Sequence, residues 1–333
     1  MLQILSRRWF LLALVAVIVI GMGWSGQLTG TADAVPRRLI VATVLFLMAL
    51  PLEFRAMWGV LRSPYPSLLA IALNTGLVPP LAWIVSRYLP HGLREGMIIA
   101  AAVPCTLASA AVWTRRAGGN DAVALLVTML TNLACFVVVP AWILALLGTQ
   151  VELDALSMVA RLLKLVVFPI VAAQLLRRIR SLAFWATDNK KGLSVVAQLG
   201  ILSMVFVGAV KSGNQLRGVD GGAVTAIDWA VMLSGVIAVH WVVLALGRWV
   251  ALWGGADRAD AIAVAFAGSQ KTLMVGLDLS IEYAAVFGGL AVLPMVAYHV
   301  GQLILDTLIA DRWRSRTALR AASDESPSRG RRK

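Results

Sequence analysis

Charge is scarce in this sequence. Asp, Glu, Lys and Arg make up 14% of its 333 residues and hydrophobic residues 59%, whereas a soluble domain is about a quarter charged. So little polar surface cannot cover a water-exposed globule, so the bilayer is the solvent and the chain reads as an integral membrane protein. Cysteine is nearly missing too. Cys105 and Cys135 lie in apolar stretches, and three histidines in the whole chain leave no Cys/His cluster at metal-ligand spacing. No disulfide, structural metal or organic cofactor is expected. Acids are fewer than bases, 17 against 30, and the net charge is +13. The bases are spread over loops without interleaved aromatics or a binding module, which argues against a nucleic-acid partner.

What is present is a series of apolar runs of about twenty residues, each able to cross roughly 30 Å of hydrocarbon as a helix. Ten are expected, near 8–25, 37–53, 66–87, 95–114, 121–147, 156–176, 193–212, 224–247, 259–280 and 285–310. With the N-terminus inside, 21 of the 30 Lys and Arg residues fall in cytoplasmic segments, as the positive-inside bias requires. Both termini are therefore placed on the cytoplasmic side of an inner (plasma) membrane. Arg7 and Arg8 followed by an apolar run, with "ADA" at 32–34, imitate a signal peptide. The run ends ten residues before that motif, so the first span is read as an uncleaved helix. The tail 316–333 is polar and basic and is predicted to be disordered.

Ten spans divide at the acidic loop 148–155 into 1–150 and 151–315, five helices each. Five is odd, so the second half enters from the opposite face. The fold class predicted is all-α, a 5+5 inverted repeat, as in secondary transporters whose site lies where discontinuous helices of the two halves meet. The fourth helix of each half carries the signal. "AAAVPCTLASAAVW" (100–113) contains Pro104, which removes a backbone donor, followed by Thr106 and Ser109. "AFAGSQKTLMVG" (265–276) holds Ser269, Gln270, Lys271 and Thr272 in a row. Both helices are predicted to unwind and cross at mid-membrane. The bland reading is a kinked helix and small residues that allow close packing.

Lys271 decides between them. It lies about 18 Å from the start of its helix, too deep for a side chain of about 6 Å to reach water. An ionisable residue at that depth is costly and reads as functional by default. The alternative is a structural lysine bonded to unwound carbonyls of a neighbouring helix. No Asp or Glu sits at the same depth in either crossing helix. Half-helix N-termini add positive potential, so the site should attract an anion.

These segments carry a resemblance. "LFLMALPLEFRAMW" (45–58), "LLKLVVFPIVAAQLLRR" (162–178), "FAGSQKTLMVGLDL" (266–279) and "LPMVAYHVGQLILDTLIADRW" (293–313) resemble the bile acid:sodium symporter superfamily, in its SBF-like branch. The resemblance implies a panel domain of the first, second, sixth and seventh helices, a core domain of the rest, and transport of organic anions by alternating access. It also implies sodium-site oxygen donors at Ser109, Thr128 and Gln270. The acidic ligand of relatives falls at Phe266 and its asparagine at Lys271, so a fixed ammonium stands where sodium coupling is expected. The coupling ion is left as sodium or a proton, with Lys271 itself able to replace sodium.

Asn74, ahead of Pro79 and Pro80, is a further candidate for the cavity wall, with a helix-to-helix hydrogen bond as the equal alternative. His299 and Gln302 share a face of the tenth helix with Asp306 one turn on, read as a structural network beside Lys271, with orientation of Lys271 or a proton relay as the alternative; both are counted with Lys271, Gln270, Ser269, Thr272, Ser109, Thr106 and Asn74 as candidate substrate-binding residues. Lys164 is read as snorkelling. The chain is thus expected to carry a small organic anion through the bilayer and to be no enzyme, since it has no nucleophile with its base and no metal set. A cation/proton antiporter is the alternative, disfavoured by the missing carboxylate at the crossing. A sensor or regulator on the same fold is another.

Overall fold

The computed structural model describes residues 2–53, 60, 64–148, 154–218 and 224–324, of which 2–8 and 316–324 are described as backbone only. Among them every regular element is a helix. α1 (Leu2–Gly23) turns by 110° into α2 (Ser25–Asp33), and α3 spans Arg37–Ala49. α4 (Tyr65–Ile71) continues through a π-helical stretch, Ala72–Leu77, into α5 (Val78–Ser86). α6 (Leu93–Ala102) and α7 (Ser109–Arg116) are separated by an unwound segment, and α8 (Asp121–Leu147) follows. α9 (Ala155–Leu162) joins α10 (Phe168–Leu176) through a second π-helical stretch, Leu163–Val167. Then come α11 (Arg180–Asp188), α12 (Lys190–Gly218) and α13 (Ala226–Trp253). α14 (Arg258–Ser269) and α15 (Leu273–Glu282) are again divided, and α16 (Ala284–Phe287) leads to α17 (Val292–Asp324).

The starts of the long helices are written locally. Asn120, Asp154, Thr225 and Asp257 sit before α8, α9, α13 and α14 with their side-chain oxygens on the free N–H groups of the first turn. The two π-helical stretches each run into prolines, Pro79 and Pro80 in one case and Pro169 in the other, whose missing N–H loosens the ladder one turn back.

Among the described residues six helices are long and apolar enough to cross a membrane: Tyr65–Ser86, Asp121–Leu147, Ala155–Leu176, Lys190–Gly218, Ala226–Trp253 and Gly289–Ser315. The bent pair Trp9–Gly23 and Ser25–Asp33 makes a seventh. This is a multi-pass membrane protein. Three of the ten expected spans are not single long helices, for two reasons. The span near 37–53 is helical only as α3, 13 residues that end at Ala49 ahead of Pro51. Those near 95–114 and 259–280 are cut in two, and neither half is long enough alone. The tail differs from expectation as well: α17 continues as helical backbone to Asp324, well past residue 316, because "RTALRAASD" has good helix formers and no Gly or Pro. Residues 325–333, and most of the acidic loop 148–155, lie outside the described residues.

α12 packs on α1, α2 and α3, while α14 is enclosed by α4, α7, α8 and α13. Every residue from Ala261 to Ile281 is buried. The broken ninth segment is therefore surrounded by protein, and Lys271 within it has no contact with lipid.

Candidate functional site

The site grows from two interruptions. α6 stops at Ala102, where Val103 turns extended (ψ 156°) and Pro104 follows. The chain resumes helical form at Ser109, whose N–H is accepted by Thr106 Oγ1 at 3.0 Å. In the second interruption Gln270 (ψ 143°) and Thr272 (ψ 128°) are extended between α14 and α15. The two interruptions are in contact. Thr272 N–H donates to Pro104 O at 2.9 Å, and Ser109 Oγ donates to Gln270 Oε1 at 2.9 Å.

Unwound backbone inside a membrane must find partners within the protein. Here neighbouring helices supply them. Asn132 on α8 donates to Cys105 O at 2.8 Å, Thr131 Oγ1 accepts from Cys105 N–H, and Thr128 Oγ1 donates to Thr106 O at 3.1 Å. On the other side Gln302 of α17 pairs with both peptide groups of Lys271, accepting its N–H at 2.9 Å and donating to its carbonyl at 3.0 Å. His299 Nδ1 takes another N–H of the Gln302 amide. Tyr298 OH and His240 Nδ1 both donate to Ser269 O, at 2.9 and 3.2 Å.

Lys271 is fully buried, and its ammonium has three acceptors for its three N–H groups: Asn74 O at 2.6 Å, Asn74 Oδ1 at 3.2 Å and Val103 O at 2.9 Å. These oxygens are available for a local reason. In the π-helical stretch Val78 N–H bonds back five residues to Leu73 O, which leaves the Asn74 carbonyl without its helical partner. Pro79 lacks an N–H for Thr75 O, and the Trp142 indole fills that gap at 2.6 Å. Asn74 also turns its amide N–H groups on Ala267 O, Gly268 O and Gln270 O, at 3.1, 3.4 and 2.9 Å. Asn74 thus links the third segment to the ninth through both ends of its side chain.

The structure gathers Lys271, Gln270, Ser269, Thr272, Ser109, Thr106, Asn74, His299 and Gln302 around one crossing. Thr128 is one residue removed, through Thr106. Phe266 lies elsewhere, its ring 5.4 Å from that of Trp313 in an apolar cluster with Leu244 and Ile262. An acid is present after all. Asp306 of α17, fully buried, accepts from Gln270 Nε2 at 2.5 Å and meets His240 Nε2 at 2.8 Å. Because the Ser269 carbonyl can only accept, His240 Nδ1 carries its proton, and a further proton lies between Nε2 and Asp306. Neither broken helix holds a carboxylate at the depth of Lys271, but α17 supplies one, which removes the argument raised against an antiporter. His240 and Tyr298 escaped the sequence reading; a histidine midway along an apolar run is the signal that finds the first.

The sequence model of the SBF-like CPA transporter family matches residues 8–315. The chain belongs to that family. Among SBF-like relatives, the "Probable sodium/metabolite cotransporter BASS4, chloroplastic" of Oryza sativa subsp. indica is 27% identical over 242 residues, covering 69% of this chain and 57% of its own length. "Sodium/bile acid cotransporter 7" of Rattus norvegicus is 22% identical over 326 residues, covering 93% of each chain. The chain thus spans little more than half of the plant protein and nearly all of the rat one.

Sodium is named in both relatives, and the three oxygens that the resemblance gives to it have protein partners in this structure. Ser109 Oγ and Gln270 Oε1 are hydrogen-bonded to each other, Thr128 Oγ1 donates to a carbonyl, and the free carbonyls of 267–270 hold the Asn74 amide. A fixed ammonium at the same break adds repulsion toward any second cation.

Proposed function

We propose that this SBF-like protein is a secondary transporter that moves a small organic anion across the membrane by alternating access, with Lys271 as a fixed positive charge in place of a coupling sodium ion. The observation that carries the reading is Lys271 itself, buried at the crossing of two broken helices. The N-termini of α7 and α15 end at the same crossing and add positive potential there. In this reading the ten segments form two inverted halves, 1–150 and 151–315, with panel and core domains moving against each other. The membrane is the inner one, with both termini cytoplasmic, as the loop charges favour. The anion does not touch the ammonium in the arrangement described, since its three protons are taken; Lys271 acts on the anion through its field.

Uptake into proteoliposomes of a panel of small carboxylates and sulfonates, with sodium exchanged for choline, tests this. Wild type should transport at the same rate in both, and Lys271→Gln should lose most of it. Uptake that stops without sodium, or a fully active Lys271→Gln, overturns the role given to Lys271. Binding of an anion without any uptake points instead to a sensor on the same fold.

The Asp306–His240 contact favours a second reading, a cation/proton antiporter, because a buried carboxylate at the crossing is what such exchange requires. Everted vesicles with a pH-sensitive dye separate the two. Proton flux on addition of sodium or potassium supports antiport, and its absence alongside anion uptake rejects it.

A further inference from the structure

Lys271 is held unlike the ion-paired arginines among the described residues. Arg161, Arg116 and Arg177 each face a carboxylate, at 2.7, 2.7 and 3.1 Å. Lys271 meets only neutral oxygens, two from main-chain carbonyls and one from an amide side chain. Those oxygens come from two separate elements, the π-helical stretch of the third segment and the break of the fourth, while the lysine comes from the break of the ninth. All three are otherwise short of backbone partners at that point. A cluster of neutral carbonyl oxygens converging on one buried positive charge is the donor chemistry of a hard monovalent cation rather than of an ion pair.

We infer that the oxygens of Asn74 and Val103 form a monovalent-cation site whose occupant is the chain's own ammonium, tethered by the Lys271 side chain. The inference rests on the reading of Lys271 as a fixed charge at the crossing, yet its test needs neither a substrate nor transport. Three acceptors at hydrogen-bond lengths match three N–H donors, so the free ion that fits best is a primary alkylammonium. The substitution Lys271→Ala removes three methylenes and the ammonium, which is the outline of n-propylammonium. The emptied site keeps the three oxygens at its end and lies within a fully buried stretch of the chain. Without its cation the Asn74 and Val103 oxygens lose their shared donor, and the three segments lose the charge that joins them.

The experiment follows the thermal unfolding of purified wild type and Lys271→Ala in detergent. Each is titrated with n-propylammonium chloride or, at matched ionic strength, with tetramethylammonium chloride, which cannot donate a hydrogen bond. The variant should unfold at a lower temperature than wild type and recover in a saturable way with n-propylammonium only. At a hundred times its dissociation constant the ion should raise the folded-to-unfolded ratio about a hundredfold. Wild type should respond equally to the two salts. An alanine variant that is as stable as wild type, or that responds alike to both salts, overturns the inference. If Lys271→Ala folds only when it is made and purified in n-propylammonium, the site is supported; if it fails even there while Lys271→Met folds without any added cation, the inference is wrong. Recovery by n-propylammonium without anion uptake by wild type leaves the cation site standing and removes the transporter reading alone. Uptake by wild type without recovery of the variant does the reverse.

Discussion

Arg161 on α9 grips Asp278 on α15 through two parallel N–H···O contacts of 2.7 Å, and its third nitrogen reaches Glu282. Both side chains of the main pair are nearly buried, 10% and 4% exposed. Glu282 also meets Arg38 of α3 at 3.3 Å, so two elements on one side of the molecule are tied to the second half of the broken ninth segment. If the protein works by alternating access, this cluster has to open whenever that side does.

Removing one partner of such a pair strands the other charge. Asp278→Leu should therefore lower stability by about 3 kcal/mol, whereas the double change Arg161→Met with Asp278→Leu should recover most of the loss. Thermal unfolding in detergent reads both. Equal damage from the single and double changes would show that packing, not stranded charge, sets the cost.

A second prediction concerns Asp306. An asparagine there can offer its N–H to His240 Nε2 and its oxygen to Gln270 Nε2, keeping both contacts without the extra proton. Asp306→Asn should stay within about 1 kcal/mol of wild type, and Asp306→Ala, which leaves two buried polar groups unpaired, should lose about 3 kcal/mol. Equal losses would mean that the carboxylate charge matters more than its hydrogen bonds. Under the antiport reading the well-folded asparagine variant carries no proton flux.

Glycines give a third contrast. A Cβ on Gly96 would sit 2.3 Å from the main-chain oxygen of Ala291, a neighbour that cannot swing aside, while a Cβ on Gly76 meets nothing within 4 Å. Gly96→Ala should cost about 2–3 kcal/mol through overpacking of α6 against the start of α17. Gly76→Ala should be neutral or mildly stabilising, since alanine favours helix over the unfolded chain. Expression yield and unfolding temperature check both, and a tolerated Gly96→Ala would show that the 289–291 turn can shift.

The interruptions were legible because proline and a run of small polar residues stand out from an apolar helix. Pro104 and "GSQKT" mark both breaks within a residue or two. The partners of Lys271 were harder to read, because two of its three acceptors are main-chain oxygens, which no side-chain pattern shows. Their exposure depends on a π-helical stretch that the prolines after Asn74 only hint at. Asp306 lay in plain sight on the right helix face, but helical periodicity tells which way a residue points and not which neighbour it meets. Its partner His240 is 66 residues away. The burial of Arg161 follows from Asp278 on a distant segment, again a pairing that sequence order does not contain.

The last prediction weighs two opposed effects at Asn74. Asn74→Asp would put a carboxylate beside the Lys271 ammonium, an attraction that is strong in a buried site. It would also replace the amide nitrogen that now serves Ala267 O, Gly268 O and Gln270 O by a second oxygen with no proton. The ammonium already has a full set of three acceptors, so the new charge adds attraction without a new hydrogen bond. Three carbonyl oxygens, by contrast, would lose their donor and face a negative atom about 3 Å away, and each unsatisfied buried group costs about 1–3 kcal/mol. The loss should win, with Asn74→Asp destabilised by at least about 2 kcal/mol and no better than Asn74→Ala. Unfolding temperatures of the two variants decide it. An aspartate variant more stable than wild type would mean that the charge on Lys271 is poorly compensated by neutral oxygens, and that the site prefers an ion pair after all.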